Sequence, residues 1–577
     1  MRAEGAPPSR AFATACWVLV ATGLVLQAAG VLQRGVHGDE FIFLGRVHAL
    51  EQGRAFPLLQ TAYAWLFRWL PWMGVNEVDQ VQGGRWALLA LWPVTLFLLY
   101  RVARHVTDAR GALAAVALAA VLRDDVIHAA SFRVDGLLAP VFLGACLAAL
   151  RPTLVRVGWA GGLSALLLVL SIKSVLLLPV VAAVLWVAAA TAGPGPAAPT
   201  LPPAKALGLW TLKLVLTTAF LLVLHGVLRP DGAAAVAGGP PDTPTFLRNA
   251  GFRMLVEGGI LPRLGTLVGS VRWNAPAWIL LAVGIIAAVR GGGARRDGAT
   301  ALRLQLVLAA PVALILIYRN YWPYAFVSLA PTLWIVAGAG WSALLGDGRR
   351  WVRWGAWVAV PWMVGALLPV ARDLGTDGTS VQRQTLDVVH RLFPEPVPYL
   401  DRTGMVASFP RPLFNMTTFG METYRAAGEA SVSAYIDDHA PPLLLLNTTS
   451  LDVFPDGPFL PPDPRPALLP DDAAAVAETY THFWGPLFLA GRSWSGLEAG
   501  REESFTIRVP GPFTLLADGP VEVDGVPVRP GGTVRLERGL HRIVSASGVS
   551  GEVRLVWGEG VTPPDGAPAP GLLLPGF

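Results

Sequence analysis

Two adjacent acids, Asp39 and Glu40, follow the first long apolar segment of the chain. That segment covers residues 11–33, about 23 residues, and is long enough to cross a bilayer. The run HGDE that follows it places His37 beside the two carboxylates at the membrane–water boundary. Ionisable groups there are costly to desolvate and are typical of sites that bind a cation or accept a proton. The alternative is that both acids are solvated loop residues.

Three further groups of polar residues lie at the ends of later apolar runs. The first is RDDVIHAASFRVDGLL at residues 123–138, the second is a lysine in LSIKSVLLLP, and the third is YRNYWPY at residues 318–324. Because all three fall on the same predicted side of the membrane as Asp39, they indicate one shared site. The candidate members that these groups add are Arg123, Asp124, Asp125, His128, Arg133, Asp135, Lys173, Arg319, Tyr321 and Tyr324.

Two of these features also have a simpler interpretation. Arg133 and Asp135 are close enough in sequence to form a neutralising pair at the start of a helix. Lys173 has a side chain long enough to reach lipid phosphate from the end of an apolar helix. We favour the shared site because the features all fall on one face.

The composition indicates a membrane protein with many spans. Of 577 residues, 53% are hydrophobic and 15% are charged, and the mean hydropathy is +0.50, which excludes a large soluble enzyme. The only cysteines, Cys16 and Cys146, lie inside apolar runs, so neither a disulfide framework nor a cysteine metal site is expected. The net charge of +5 is modest, and basic residues beside helices favour lipid headgroups over nucleic acid as partners.

The apolar runs predict a polytopic α-helical membrane protein with about eleven transmembrane helices. The later runs cover residues 86–100, 111–122, 136–150, 157–172, 175–193, 207–228, 276–289, 303–318, 324–345 and 355–371. Arginines in the short connections fall on the side of the amino terminus, which the positive-inside rule makes cytoplasmic. The chain is therefore predicted to lie in the inner, cytoplasmic membrane with its loops 34–85 and 228–275 and its C-terminal part outside.

The C-terminal part has no apolar run of membrane length. Residues 374–498 mix helical patterns such as SVSAYIDDHAPP with strand patterns such as LLLLNTTS, which predicts an extracytoplasmic α/β domain. Residues 499–577 alternate polar and apolar positions between turns, which predicts a small antiparallel β-sandwich. This module either recognises acceptor glycan through Phe505, Phe513 and Trp557, or packs on the rest of the protein with those rings inside.

The succession of these segments resembles the GT-C integral-membrane glycosyltransferases, which include protein O-mannosyltransferases and aminoarabinose transferases. HGDEFIFLGRVHALEQG is similar to their first outer loop, and SFRVDGLLAPVFLGACLAAL to their second outer loop and the helix after it. GGLSALLLVLSIKSVLLLPVVAAVL resembles their fifth and sixth helices, and YRNYWPYAFVSLAPTLWIVAGAG their late aromatic-rich segment. The resemblance covers roughly residues 10–371, rests on order as much as on identity, and predicts a GT-C-like core over residues 1–373.

The resemblance implies an enzyme that transfers a sugar from a polyprenyl-phosphate donor to a glycan, lipid or protein acceptor at the outer face of the membrane. It implies Asp39 as the base that deprotonates the acceptor, with inversion at the anomeric carbon, and Glu40 as a residue that orients Asp39 or the acceptor. The leaving phosphate needs positive charge. The predicted donor site contains Lys173, Arg133, Arg319, Asp135, Tyr321 and His37.

A divalent cation is an alternative source of that positive charge. Asp39 together with Asp124 and Asp125 offers oxygen ligands for Mg²⁺ or Mn²⁺, although no spacing requires such a site. Metal dependence is therefore left open.

Two other functions remain as alternatives. A transporter or flippase of a lipid-linked substrate typically has charges near the middle of its helices, whereas this chain keeps nearly all its charges at helix ends and in loops. A polysaccharide polymerase or ligase typically concentrates arginines in one late outer loop. The loop 228–275 does contain several: Arg248, Arg253, Arg263 and Arg272.

Overall fold

The computed structural model describes residues 8–53, 61–192, 200–228, 264–291, 296–318, 322–410, 413–454, 467–569 and 573–574. The N-terminal part is helical in these ranges. Its α-helices are α1 (Arg10–Gln33), α2 (Gly38–Glu51), α3 (Glu77–Ala103), α4 (Ala109–Val121), α5 (Arg123–His128), α6 (Asp135–Ala149), α7 (Leu154–Leu170), α8 (Leu178–Thr191), α9 (Pro203–Val227), α10 (Leu264–Trp273), α11 (Ala275–Gly291), α12 (Arg296–Ala309), α13 (Pro311–Ile317), α14 (Phe326–Leu329), α15 (Pro331–Leu345) and α16 (Arg350–Asp373). Short 3-10 helices cover Ala62–Phe67, Leu70–Met73, Ile172–Leu176 and Pro323–Ala325.

Several of these helices are suited to a bilayer. Within the described ranges, five are long and apolar enough to cross it, and the number rises to seven if each of two bent helix pairs counts as one span. The chain is therefore a multi-pass membrane protein, as predicted. The figure of about eleven crossings stays a prediction, because four further apolar helices are shorter than a typical span.

Prolines break two of the predicted runs. The run 324–345 is bent by 75° where α15 begins at Pro331, and the run 303–318 is divided between α12 and α13 at Pro311. Proline lacks a backbone N–H and its ring collides with the preceding turn, so it begins a helix more readily than it continues one. Before the first bend, the short segment from Pro323 to Leu329 packs against α5 and α6.

Small residues bring α1 and α4 into backbone contact. A Cβ on Gly23 would lie 1.9 Å from the carbonyl oxygen of Ala120, so only glycine permits this approach. Close packing of this kind replaces the hydrophobic effect as the force between helices in lipid. Because α4 ends beside the middle of α1, α5 packs against the second half of α1. The loop after α5 then lies next to the segment after α1, where the Arg34 guanidinium donates to the Ser131 hydroxyl at 2.6 Å.

The C-terminal part contains both helices and strands, which confirms the predicted α/β region and β-rich terminus. Its helices are α17 (Ser380–Leu392), α18 (Thr418–Ala427), α19 (Ser431–His439) and α20 (Pro470–Thr479), with a 3-10 helix at Thr449–Leu451. Its strands are β1 (Tyr399–Leu400), β2 (Leu443–Leu445), β3 (Tyr480–Trp484), β4 (Leu487–Trp494), β5 (Glu502–Ile507), β6 (Gly511–Leu516), β7 (Val521–Val523), β8 (Val526–Val528), β9 (Thr533–Leu536), β10 (Gly539–Val544) and β11 (Val553–Trp557).

The strands form two sheets. A seven-stranded sheet has the order β1-β2-β4-β11-β6-β9, with β3 also paired to β4, and a four-stranded sheet has the order β5-β10-β7-β8. The larger sheet includes strands from both sides of residue 498, because β4 pairs with β11 in antiparallel register. The division into 1–373, 374–498 and 499–577 stays a prediction.

The aromatic side chains considered for glycan stacking point inward. Phe505 and Phe513 are buried in the core of the terminal sheets. Trp557 is half-buried and stacks on Phe393 of the segment after α17, with ring centroids 5.7 Å apart. Of the two interpretations of this module, the rings therefore fit the one in which they fill the interior.

The C-terminal part is anchored on the segment that carries Asp39. The Gln382 amide in α17 accepts a hydrogen bond from the Val36 N–H at 2.7 Å and donates one to the Val36 carbonyl at 2.8 Å. Nearby, the Ser408 hydroxyl donates to Glu77 of α3 at 2.8 Å. These contacts fix the backbone just before His37.

Candidate active site

His37 and Glu40 shape the start of α2. The His37 Nδ1 accepts a hydrogen bond from the Asp39 N–H at 3.1 Å, and Glu40 Oε2 accepts one from the His37 N–H at 3.0 Å. This reciprocal arrangement is a capping box, built here with histidine instead of serine or threonine. Burial, with help from Arg133, lowers the pKa of His37 to about 4, which keeps its ring able to accept this hydrogen bond. The structure therefore gives His37 a role in holding Asp39 at the positive end of a helix.

Glu40 is surrounded by hydrogen-bond donors. Its Oε1 accepts from Arg85 Nε at 2.8 Å and from the Phe132 N–H at 2.7 Å, while Oε2 accepts from Arg85 Nη2 at 2.6 Å as well as from the His37 N–H. The side chain is 1% exposed, and that of Arg85 is fully buried. Burial raises the pKa of Glu40, but the Arg85 charge outweighs burial and holds it well below the usual range. Glu40 is thus an ionised residue that joins α2, α3 and the loop before α6.

Asp39, in contrast, is partly open to solvent. Its side chain is 26% exposed and forms an ion pair with Arg133, whose own side chain is 4% exposed. Burial alone would raise the pKa of Asp39. The positive charge of Arg133, with a contribution from His37, has the larger effect and lowers this pKa to about 2. The carboxylate is therefore ionised at any physiological pH.

Arg133 connects Asp39 to Asp135 and Tyr324, and the ring of Tyr324 also contacts Lys173. The Nε of Arg133 lies 3.4 Å from Asp135 Oδ2 at the start of α6, and its guanidinium lies 3.5 Å from the ring centroid of Tyr324. The Nζ of Lys173 lies 4.9 Å from the centroid of the same ring. We call these five residues the Asp39 cluster: Asp39, Arg133, Asp135, Lys173 and Tyr324.

All five residues of the cluster are candidates for the shared site in the sequence analysis, and the structure brings them together at the ends of apolar helices. For Tyr324, however, the sequence predicts no specific role. Its ring supplies a face for two cations, an arrangement that is favourable when the cations are desolvated. Arg85 was not predicted at all, because nothing in the sequence pairs it with a residue 45 positions away.

Asp124 and Asp125 lie elsewhere. The Asn274 amide donates to Asp124 Oδ2 at 3.0 Å, and the Trp334 indole donates to Asp125 Oδ2 at 3.1 Å. Burial raises the pKa of both carboxyls, that of Asp125 well above its usual range. They are structural acids at the junction of α5, α10 and α15.

The predicted metal set of Asp39, Asp124 and Asp125 is not assembled. Among the side chains that the structure describes, no group of three His, Cys, Asp or Glu residues is placed to hold a metal ion. The two aspartates of α5 are engaged by the neutral donors of Asn274 and Trp334 and point to a different part of the helix bundle. We therefore derive no step through a metal.

Arg319 and Tyr321, which the sequence also predicts for the donor site, lie outside the described residues. So does most of the loop 228–275, including three of the arginines that keep a polymerase or ligase as an alternative. The fourth, Arg272, ends α10 with its guanidinium 5.5 Å from the ring centroid of Trp273.

No family model matches the chain, and no curated protein sequence does either. Solved structures do match. ArnT from Cupriavidus metallidurans in the apo state has a TM-score of 0.51 and 15% sequence identity, over 82% of this chain and 97% of that chain. The same protein bound to undecaprenyl phosphate has a TM-score of 0.50 and 14% identity, over 74% and 92% of the two chains. ArnT is a GT-C aminoarabinose transferase. The chain therefore has the fold of the GT-C integral-membrane glycosyltransferases, as its sequence predicts.

Proposed function

We propose that the protein is a glycosyltransferase that moves a sugar from a polyprenyl-phosphate donor to an acceptor hydroxyl. The observation that carries this proposal is the Asp39 cluster. A partly exposed, ionised carboxylate lies beside two cations, Arg133 and Lys173, where apolar helices end. A lipid-linked donor presents its phosphate and sugar at that boundary while its chain stays in the bilayer. ArnT, which shares the fold, has been solved with undecaprenyl phosphate.

In this reaction Asp39 is the general base. The acceptor oxygen attacks the anomeric carbon from the face opposite the phosphate and gives its proton to the Asp39 carboxylate. The bond between the anomeric carbon and the phosphate oxygen breaks, and the polyprenyl phosphate leaves with the electron pair. The anomeric configuration is inverted. Arg133 and Lys173 stabilise the negative charge that develops on the leaving phosphate.

Arg133 has a second effect on the base. A general base is most effective when its pKa is near the working pH, yet the resting ion pair holds the pKa of Asp39 at about 2. A donor phosphate that attracts Arg133 weakens this ion pair and lets burial raise the pKa of Asp39. Donor binding then prepares the carboxylate to take the acceptor proton.

Replacing Arg133 by glutamine should therefore move the acid limb of the pH–rate profile. In the wild type, Asp39 is ionised until the pH falls toward about 2, so its titration does not limit transfer near neutrality. Without the Arg133 charge the pKa of Asp39 rises, and activity is lost at a higher pH as the pH is lowered. The measurement is kcat/KM between about pH 4 and pH 8. Arg383→Gln, which removes the partner of Asp79 instead, is the control and should keep the wild-type profile. Superimposable profiles of the wild type and Arg133→Gln contradict the proposed coupling.

Glu40 acts by positioning in this proposal. Its oxygens are occupied by donors from Arg85, Phe132 and His37, so it holds the start of α2 and thereby the backbone of Asp39. It does not contact the substrate. Asp135 has a related role, because it lies 3.4 Å from the Nε of Arg133, whereas Asp39 pairs with the Nη1 of the same guanidinium.

We further propose that the Asp39 cluster faces the outside of the inner membrane. Arginines in the short connections, which include Arg101, Arg110 and Arg353, support a cytoplasmic location for the opposite helix ends. The C-terminal part is then extracytoplasmic, where it is available to a glycan, lipid or protein acceptor. Membrane lipid and the polyprenyl-phosphate sugar are the other proposed partners, and nucleic acid is not one.

The direct test is transfer from synthetic polyprenyl-phosphate sugars by the purified protein, with Lys173→Met as the informative variant. Loss of one charge-assisted contact to phosphate, about 1.5–3 kcal/mol, should raise the KM for the donor by roughly 10- to 100-fold. Lys205→Met is the matched control. Lys205 lies in the first turn of α9, at the end of the helix bundle opposite to Lys173, so its replacement should leave the KM for the donor unchanged. An unchanged KM in Lys173→Met removes Lys173 from the donor site. The same assay in sealed vesicles of known orientation tests the outward location.

A further inference from the structure

A cavity lies where α1 and α4 begin, at the end of α1 opposite to Asp39. It has a volume of about 660 Å³ and is lined by residues that include Phe12, Arg110, Arg350, Arg353, Trp354 and Trp357. Phe12 is in the first turn of α1, whereas Asp39 follows the last turn, and a helix of this length rises by about 36 Å. The two sites therefore lie at opposite surfaces of the membrane.

The cavity carries excess positive charge. Arg350 and Arg353 form no ion pair with any carboxylate in the described ranges of the chain. Arg110 Nε lies 3.4 Å from Asp108 Oδ2, but Asp108 Oδ1 already accepts from the Gly111 N–H and from the Ser342 hydroxyl, each at 2.8 Å. A second acid, Asp347, lies within electrostatic range of Arg353, but Arg349 binds both of its carboxylate oxygens. The four arginines therefore outnumber the two acids beside the cavity.

The backbone adds to this positive field. Three helices, α1, α4 and α16, begin at the cavity, and the amino-terminal ends of helices carry partial positive charge. At the start of α16, the N-cap residue Arg349 makes no side-chain capping hydrogen bond within the described structure. An anion in the cavity would therefore meet N–H groups as well as arginines.

The rim of the cavity is suited to lipid. Trp354 is 63% exposed, and Trp351 beside it in the same helix turn is also exposed. Exposed tryptophans at the end of an apolar helix are typical of the headgroup region. Trp357 packs more deeply, with its ring 6.0 Å from that of Phe12. A ligand in the cavity would contact the arginine side chains with its charged group and the rings of Trp357 and Phe12 with its apolar part.

We propose that this cavity binds the phosphate group of an anionic phospholipid from the leaflet opposite the Asp39 cluster. The headgroup contacts Arg110, Arg350 and Arg353, and the acyl chains lie along the apolar outer face of α16. Because the site joins the starts of α1, α4 and α16, its occupancy stabilises the helix bundle. This inference does not depend on the proposed transfer reaction.

The test is the thermal unfolding of the purified full-length protein in detergent with added lipid. Phosphatidylglycerol should raise the Tm of the wild type, whereas phosphatidylcholine and inorganic phosphate should not. The double variant Arg350→Gln/Arg353→Gln should need roughly 30-fold more phosphatidylglycerol for the same rise, since each arginine near an anionic lipid contributes about a factor of five. Both side chains are exposed, so the variant should fold, and native mass spectrometry should find less phosphatidylglycerol retained by it.

The matched control is Arg151→Gln/Arg290→Gln, which removes two exposed positive charges from the same side of the protein but not from the cavity. It should respond to phosphatidylglycerol like the wild type. The proposal is overturned if the cavity variant and the wild type respond alike, or if phosphatidylcholine stabilises as well as phosphatidylglycerol. Equal stabilisation by inorganic phosphate also overturns it, since the cavity then binds a free anion.

Discussion

Sugar transfer by the Asp39→Asn variant is expected to be about 10²- to 10⁴-fold slower than by the wild type, the usual effect of losing a general base. The amide has the shape of the carboxylate but accepts no proton at neutral pH. The backbone contacts that start α2 involve the Asp39 N–H and are unchanged by the substitution. Arg133 keeps Asp135 and the face of Tyr324 as partners, so no buried cation is left without a neighbour.

The affinity of Asp39→Asn for the donor shows whether Asp39 acts as a base or as a donor-binding residue. Removing the Asp39 charge leaves Arg133 and Lys173 with less competition for phosphate, so the affinity for a polyprenyl-phosphate donor should be unchanged or higher. The measurements are kcat and the dissociation constant of the donor for the same purified variant. Asp79→Asn is the matched control, because Asp79 also pairs with an arginine, Arg383, on the same face of the protein. Near-normal kcat in Asp39→Asn, or an equal loss in Asp79→Asn, would show that Asp39 is not the base.

The location of Asp39, Arg133, Asp135 and Lys173 on one side of the membrane could be predicted from the sequence. It depends only on whether the number of membrane crossings between them is even or odd. Each residue lies at the end of an apolar run, and hydropathy locates such ends even when their exact positions are uncertain. The number of crossings gives only the side of the membrane, however. It predicts that Asp124 and Asp125 lie on the same side as Asp39, but it does not predict their hydrogen bonds with Asn274 and Trp334, which hold them apart from Asp39.

The contacts through which Glu40 would position Asp39 were not predictable from its neighbour. Consecutive residues on a helix project in directions about 100° apart, so Glu40 points inward where Asp39 points toward solvent. Its partner Arg85 lies within a segment that the sequence assigns to an outer loop, whereas the structure places it in α3. The capping box was not recognisable from the sequence either, because its N-cap residue is histidine and not the serine or threonine of the usual pattern.

Non-local pairing explains the other differences in the fold. Alternation within residues 499–577 predicts the strands, but the partner of β11 on one side is β4, which lies before residue 498. Local patterns do not record which strand pairs with which. The bend at Pro331 is different, since a proline inside an apolar run is a visible sign that one helix ends and another begins.

The buried pair of Glu40 and Arg85 leads to the largest expected effect on stability. In Glu40→Gln, all four groups around the side chain are donors, two from Arg85, one from His37 and one from Phe132. The new NH₂ group has no acceptor there, and the buried Arg85 charge loses its counter-ion. Breaking a buried ion pair by removing one partner typically costs about 3–5 kcal/mol. We expect a loss of that size in the free energy of unfolding, measured by denaturant titration in detergent, together with a loss of transfer because the start of α2 is no longer fixed.

A matched control and a compensating variant show whether this effect belongs to the pair. Glu51 lies in the same helix as Glu40, and its ion pair with Arg68 is more exposed. Glu51→Gln should therefore change the free energy of unfolding by less than about 1 kcal/mol. Glu40→Leu combined with Arg85→Met removes the unpaired buried charge, but it leaves the Phe132 N–H and the Arg34 and Gly35 carbonyls without these partners. It should therefore recover only part of the lost stability. Activity should stay low in this double variant, because His37 loses the Glu40 acceptor that completes the cap of Asp39's helix. Recovery of both stability and activity would mean that Glu40 has no positioning role, and that Asp39 is held in place by Arg133 and His37 alone.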